Sequence, residues 1–359
     1  MIGKTVIPFG PQHAVFPEPF HWRLVMEEER VLDAIPGIGY MHRGIEQLAT
    51  RMEFAKTLFL AERVCGICSF MHALAYAESL EKLMDVEVPP RAKYLRTIWA
   101  ELARLQSHLL WIGLAADAFG FESLFMQAWR VREYVMDMVE FTEGGRVMTS
   151  SVTIGGVRRD LHEEAIEFLL ENLDKLEVGF EEVYQVFTED PLIKHRTVGV
   201  GILSKEDSIR LGAVGPTLRG SGVAQDMRML GYAAYGELEF QPVVEDSCDS
   251  YARMVVRLKE CFQSINLIRQ AIKKLPDGDV LVKVRGKPEG EVVTRIEQPR
   301  GELLYYIKAN GTKSLERFRI RTPTLSNLPP LMHMIKGACL ADVPVITLSI
   351  DTCIACTER

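Results

Sequence analysis

Two C-x-x-C pairs, Cys65/Cys68 and Cys353/Cys356, stand nearly a whole chain apart. A C-x-x-C turn brings two thiolates to one side of the backbone, close enough to share a metal. Two such pairs make a site with four sulfur ligands. A site shared between them ties the far end of the sequence into the body of the fold, where chain ends otherwise fray. Thiolate sulfur is soft and selects zinc, iron–sulfur clusters, copper(I) or nickel over magnesium and calcium. Spacing does not choose among these. A structural zinc site with four cysteines is a common use of such a set, but zinc knuckles usually close a local unit, so iron–sulfur and nickel stay open.

The other cysteines add no framework. Seven is an odd count in a chain without an export signal, which argues against disulfides and for metal or redox chemistry. Cys261 falls on a helically spaced apolar stripe with Met254, Val255, Leu258, Phe262, Ile265 and Ile268. It reads as a buried small hydrophobe, and Cys248 and Cys339 receive the same reading.

The 359 residues are 47% hydrophobic and 25% charged, an ordinary globular balance. A net charge of −7 argues against nucleic acid as a partner, since phosphate binding needs a basic surface. No apolar run approaches the roughly 20 residues of a membrane span. The opening "MIGKTVIPFGPQHAVFPEP" lacks the apolar core of a signal peptide, so a cytoplasmic address is expected.

Along the chain, residues 1–50 read as a β-rich segment, with two strands around the charged turn of "HWRLVMEEERVLDAIPGIGY". Residues 51–359 read as one helical body. Leu95, Ile98, Leu102, Leu105, Leu109 and Ile112 stripe one long helix. Asp160 and Glu163 have the spacing of a capped helix start, with Ile166, Leu169, Leu173 and Leu176 on its apolar face. Residues 191–245 are glycine-rich and irregular, and a helix follows over 250–273. Period-two alternation predicts an antiparallel β insertion near 280–310. The metal-binding tail runs through "RTPTLSNLPPL" and a short helix to "VPVITLSIDTC". The expected class is α+β, mainly α: a central helical bundle with small antiparallel β elements near both ends.

The residues around the cysteines carry a resemblance. "ERVCGICSFMH" and "DTCIACTER" resemble the paired signatures of the [NiFe] hydrogenase large subunit, R-x-C-G-x-C-x-x-x-H and D-P-C-x-x-C. "EQPRGELLYYI" and "RTPTLSN" resemble the P-R-G and P-[ST]-x-x-N segments between them. "GPQHAVFPEPF", "GYMHRGIE", "GGVRRD" and "GPTLRGSGVAQDMR" are similar to segments shared by energy-converting membrane-bound hydrogenases and the quinone-site subunit of respiratory complex I. The complex I relatives lack the four cysteines. With its compact length, the chain looks most like the catalytic subunit of an Ech-like or CO-induced hydrogenase.

The resemblance implies a nickel–iron centre whose iron carries one CO and two cyanides. Cys68 and Cys356 would bridge the metals, and Cys65 and Cys353 would bind nickel alone. The implied reaction is reversible heterolysis of H2 into a hydride and a proton, with the Cys353 thiolate as first proton acceptor. Glu18 of "VFPEP", by itself a solvated loop carboxylate beside two prolines, matches the proton-relay glutamate. Such a carboxyl needs burial to raise its pKa into the operating range. Arg300 of "QPRGE" would contact one cyanide and the Thr324 hydroxyl the other. His72, one helical turn beyond Cys68, fits a hydrogen bond to the Cys68 sulfur, against the plainer reading of a core histidine. Asp351 and Arg63, retained from the motifs, join this surrounding shell.

Thr352 replaces the motif proline, which loosens a turn without removing a ligand. A second magnesium or iron ion is left open. Its glutamate would be Glu46, but Arg359 stands near the place of the usual histidine, so Glu46 could pair with a basic group or continue a proton route. The sequence ends at the position where many relatives are processed, consistent with a removed extension or with none.

No further cysteine cluster exists to carry electrons away. A small subunit with a [4Fe–4S] cluster is therefore implied, with a ferredoxin-like iron–sulfur subunit and membrane ion-translocating subunits around it. Reduced ferredoxin would be the electron donor and H2 and protons the reactants. The implied place is the cytoplasmic side of the cell membrane, peripheral, with no span of its own. Two alternatives remain: a hydrogenase-derived subunit of a sulfur- or quinone-type reductase, and a noncatalytic scaffold with a structural four-cysteine zinc site.

Overall fold

A computed structural model describes residues 4–359; the first three residues of the N-terminal segment lie outside them. Strands Thr5–Phe9, His21–Glu27 and Arg30–Gly37 form an antiparallel sheet in sequence order. Trp22, Leu24 and Met26 alternate inward along its middle strand, the period-two pattern of a sheet with one buried face. That face packs with Leu331, Ile335, Ile346, Ile350 and Ile354. The N-terminal sheet and the C-terminal tail thus share one small core. This core seats the loop that carries Glu18 beside the second cysteine pair.

The larger core surrounds the helix Pro90–Ala118, whose stripe residues Leu95 to Ile112 are all buried. Each such side chain contributes about 1.5–3 kcal/mol on leaving water. Against it lie helices Glu122–Glu143 and Ser250–Lys273, and helix Glu163–Glu189 packs on both of these. The last of these starts later than its sequence suggests. His162 holds the cap position, while Asp160 accepts the N–H of Leu161 and pairs with Arg91 at 2.8 Å. Ion pairing outcompetes capping there. Cys261 is buried as expected, but Cys248 and Cys339 are only partly so, and Cys248 sits in a left-handed turn (φ 61°).

The β insertion is a three-stranded antiparallel sheet of Glu289–Gln298, Gly301–Asn310 and Leu315–Arg321. Its third strand lies beyond the expected insertion, and residues 282–288 form no strand. The first two strands meet in a tight turn at Pro299-Arg300, with Gln298 paired to Gly301. A Cβ on Gly301 would lie 2.7 Å from the Gly215 nitrogen, so only glycine lets the two backbones touch and seats this turn. "TLSNLPPLMHMI" and "VPVITLS" are helices, and a last helix, Ile354–Glu358, contains Cys356. No helix among the described residues is long and apolar enough to cross a membrane.

Candidate metal centre

Each cysteine pair sits at a helix start. Cys68, second of its pair, holds the N-cap position of Ser69–Leu83 without a side-chain cap bond, whereas Cys353, first of its pair, caps Ile354–Glu358. In each pair the first sulfur accepts the backbone N–H of the second cysteine, at 3.5 Å for Cys65 and 3.4 Å for Cys353. The pairs face each other across the seam between the two halves of the chain. Cys65 Sγ lies 3.4 Å from Cys353 Sγ, and Cys68 Sγ lies 3.2 Å from Cys356 Sγ. All four are at most 2% exposed. Hydrogen bonds from the other thiols, Cys353 first, hold the Cys65 thiol well below its ordinary range, while burial pushes Cys356 up. The sulfurs of Cys65, Cys68 and Cys356 lie within 4.8 Å of one another, with Cys353 joined through Cys65, and four buried soft donors fit a thiolate-held metal group.

Glu18 lies at the start of the last helix. One carboxyl oxygen accepts the N–H groups of Ile354 and Ala355, the latter at 3.0 Å. Burial raises its pKa against the pull of these two N–H groups. Glu18 also borders a small cavity of about 20 Å³ with Ile67, Trp111, Arg300 and Asp351.

Arg300 is buried in the hairpin turn, with its fork fixed on three sides. Nε donates to the Asp351 carbonyl at 2.9 Å, one terminal nitrogen to Asp351 Oδ1 at 2.8 Å, and the other to Ser107 at 3.1 Å. Burial opposes its charge, but Asp351 and the cysteines hold the guanidinium firmly protonated. The second Asp351 oxygen is buried without a partner. Thr324 Oγ1 accepts the Cys353 N–H at 3.1 Å, which leaves its hydroxyl hydrogen free to donate elsewhere.

Two expectations change, and one left open is narrowed. The His72 ring lies 3.4 Å from Cys356 Sγ, not against Cys68: a helical turn carries it past Cys68 to the opposite wall. Tyr305 and Gln298 hold the ring at 2.8 and 3.2 Å, and burial lowers its pKa to about 4, so it is neutral. Arg63 turns outward, donating to Phe59 O at 2.8 Å and lying 3.6 Å from Glu62. Only its carbonyl faces the seam. Glu46 pairs with Arg319 and, at 3.0 Å, with Arg359, and accepts the Ile320 N–H at 2.9 Å. Burial opposes ionisation, yet these partners hold Glu46 below the usual carboxylate range. Of the two options left for it, pairing with a basic group is the one the geometry takes.

Sequence reasoning missed several residues. Arg43 donates to carbonyls on both sides of the seam, and Glu358 accepts the Gly39 N–H at 2.6 Å. The "GPTLRGSGVAQDMR" segment supplies a buried ion network instead of a site surface. Arg219 pairs with Glu260 at 2.7 Å and Glu297 at 2.8 Å, and Arg228 with Asp226 at 2.8 Å. Through Glu297 this network braces the strand that leads into Arg300. The available signal was charge recurring inside an apolar helix, as at Glu101 and Arg104.

The family described as "Respiratory-chain NADH dehydrogenase, 49 Kd subunit" matches residues 118–287 and 281–359, and "Nickel-dependent hydrogenase" matches residues 43–114. The carbon monoxide-induced hydrogenase of Rhodospirillum rubrum is 41% identical, over 98% of this chain and 99% of its own. The membrane-bound hydrogenase subunit alpha of Pyrococcus furiosus is 36% identical, over 98% of this chain and 87% of its own. An NADH-quinone oxidoreductase subunit of Thermodesulfovibrio yellowstonii is 32% identical, over 99% of this chain and 96% of its own. The chain belongs to the family that unites energy-converting membrane-bound [NiFe] hydrogenase large subunits with the 49 Kd subunit of respiratory-chain NADH dehydrogenase.

Proposed function

We propose that this chain is the catalytic subunit of a multisubunit membrane-bound [NiFe] hydrogenase. The observation that carries the reading is the meeting of four buried cysteine sulfurs, drawn from both ends of the chain, beside Glu18 and Arg300. Cys65, Cys68, Cys353 and Cys356 would hold the nickel–iron group. When bound, that group supplies the heterolysis of H2.

The remaining work belongs to the chain's own residues. The Cys353 sulfur takes the proton first, and Glu18, held on the backbone of the next two residues, passes it on. Its raised pKa moves the carboxyl towards the operating pH, where a group can both accept and release protons. Arg300, locked by Asp351 and Ser107, presents a permanent charge in a fixed orientation. His72 is neutral and orients the Cys356 sulfur. Thr324 fixes the backbone at Cys353. Arg359 meets Glu46 where a second metal would need its ligand, which favours an ion pair there.

Electrons pass between ferredoxin and this chain through a ferredoxin-like subunit and a partner subunit carrying a [4Fe–4S] cluster. The chain sits peripherally on the cytoplasmic side of the membrane, and partner subunits translocate ions as ferredoxin electrons reduce protons. The kinship with NADH-quinone oxidoreductase supports a second reading, a hydrogenase-derived subunit of a quinone- or sulfur-type reductase. Metal analysis with infrared spectroscopy and an H2 assay on the purified complex decides. Nickel, iron and CO and cyanide bands with H2 turnover are expected. A nickel–iron centre without turnover favours the second reading, and zinc alone overturns both.

A further inference from the structure

The two cysteine pairs must hold a fixed separation, yet they lie on segments with no covalent link nearer than the whole chain between them. Arg43 spans that gap. One terminal nitrogen, partly buried, donates to Val64 O at 2.7 Å and to Ala355 O at 3.0 Å. The other donates to Arg63 O at 2.8 Å, and Nε donates to Met41 O at 3.2 Å. Val64 directly precedes Cys65, and Ala355 lies inside the second C-x-x-C. A single nitrogen therefore directs one hydrogen to each wall of the sulfur pocket.

We propose that Arg43 is a positioning residue that sets the span between the two cysteine pairs. The role needs a guanidinium, because a planar fork of five donors can reach carbonyls on two separate segments at once. A lysine ammonium keeps the charge but cannot match the fork. The neighbouring segment supports the same task at the end of the tail. Glu358 accepts the Gly39 N–H, and the His42 Nδ1 lies 2.7 Å from the Glu358 carbonyl. Removing Arg43 therefore takes away the hold on the Ala355 carbonyl and loosens the stretch around Cys353–Ala355, which Glu18 and Thr324 still hold through its N–H groups, without releasing the last residues. Arg63, the arginine of the cysteine motif itself, offers only its carbonyl, and its side chain, at the surface, takes no part.

The inference rests on the metal reading only for what fills the pocket; the bridge across the seam stands by itself. The test compares Arg43→Ala, Arg43→Lys and Arg63→Ala in the purified complex. Outer contacts to metal sites typically change affinity by about 10–100-fold, and nickel release to a chelator should accelerate by that order in both Arg43 variants. The CO and cyanide bands should shift or broaden, and hydrogen exchange should rise over residues 350–356 while the rest of the chain keeps its protection. Arg63→Ala should match the wild type in all three. Rescue by Arg43→Lys would mean that charge alone matters, and wild-type exchange and nickel retention in Arg43→Ala would mean that the bridge does nothing; either overturns the proposal. If the wild type holds zinc, the hydrogenase reading fails, while tail exchange and zinc release still judge the bridge. Should Arg43→Ala unfold globally, Arg43→Lys decides alone.

Discussion

Glu18 and Ala355 stand 337 positions apart, and a Glu18 carboxyl oxygen accepts the Ala355 N–H at 3.0 Å. The same oxygen accepts the Ile354 N–H, so the carboxyl is moored between the two cysteines of the tail. The proposed relay role and the anchoring are separable, because an amide oxygen can accept the same two hydrogen bonds.

Glu18→Gln is the variant that separates them. Glutamine keeps the mooring but neither takes up nor releases a proton near neutral pH. Metal content and infrared bands should stay, while H2 oxidation and H/D exchange fall together by about 10²–10⁴-fold, the usual share of a general acid–base group. Para/ortho-hydrogen conversion, which needs no proton export, should survive better. Near-normal H/D exchange in this variant would send the proton by another path.

The parts legible in the sequence were those with short-range signals. The stripe from Leu95 to Ile112 announced its helix through a 3.6-residue period, and the cysteines announced a shared site because thiols in pairs have few other uses. Arg43 was illegible for a physical reason: its partners are backbone carbonyls, which every residue has, so no partner residue type marks the contact. Arg63 shows the converse. Its place in a motif suggested a side-chain role, but the helix end at Glu62 points that side chain to solvent. For His72, whose expected partner was the Cys68 sulfur, only the tertiary arrangement could reveal that the sulfur in reach is that of Cys356.

Arg300→Lys tests the locked fork. The variant keeps one charge, but an ammonium cannot hold the Asp351 carbonyl, the Asp351 carboxylate and Ser107 in one plane. Metal should remain and turnover should drop, on the order of 10²-fold or more, as for a lost electrostatic donor. Unchanged H2 oxidation in a fully metallated Arg300→Lys protein would remove Arg300 from the chemistry.

Cys65→Ser and Cys353→Ser should each abolish nickel retention and activity, since either removes one of four soft donors. The tail should loosen too, because metal binding is linked to folding, but incompletely. Glu358, Arg359 and Glu18 still hold it through Gly39, Glu46 and the Ile354–Ala355 backbone. Hydrogen-exchange mass spectrometry should find raised exchange centred on 353–356. Full nickel occupancy in either variant would contradict the ligand assignment.

Glu143 gives a pH-dependent prediction away from the metal. Its buried carboxyl accepts hydrogen bonds from Thr149 at 2.6 Å and Ser151 at 2.5 Å. Burial pushes its pKa from 4.5 up to about 7, the nearby Glu62 adding to the rise and Arg159 opposing it. The folded state therefore holds a proton that the unfolded chain has already lost between these values. The stabilisation is complete below pH 4.5 and fades as pH rises towards 7. At about 1.4 kcal/mol per pKa unit, the stability lost across that window is on the order of 3 kcal/mol. Glu143→Gln stays neutral and still accepts from both hydroxyls, so it should flatten that part of the pH profile. Other buried groups, such as Glu78 and His72, titrate nearby, so the quantity to follow is the difference in Tm between wild type and variant from pH 5 to 8. That difference should grow in favour of Glu143→Gln as pH rises. A constant difference would place Glu143 in its ionised form throughout, with its charge balanced by Arg159.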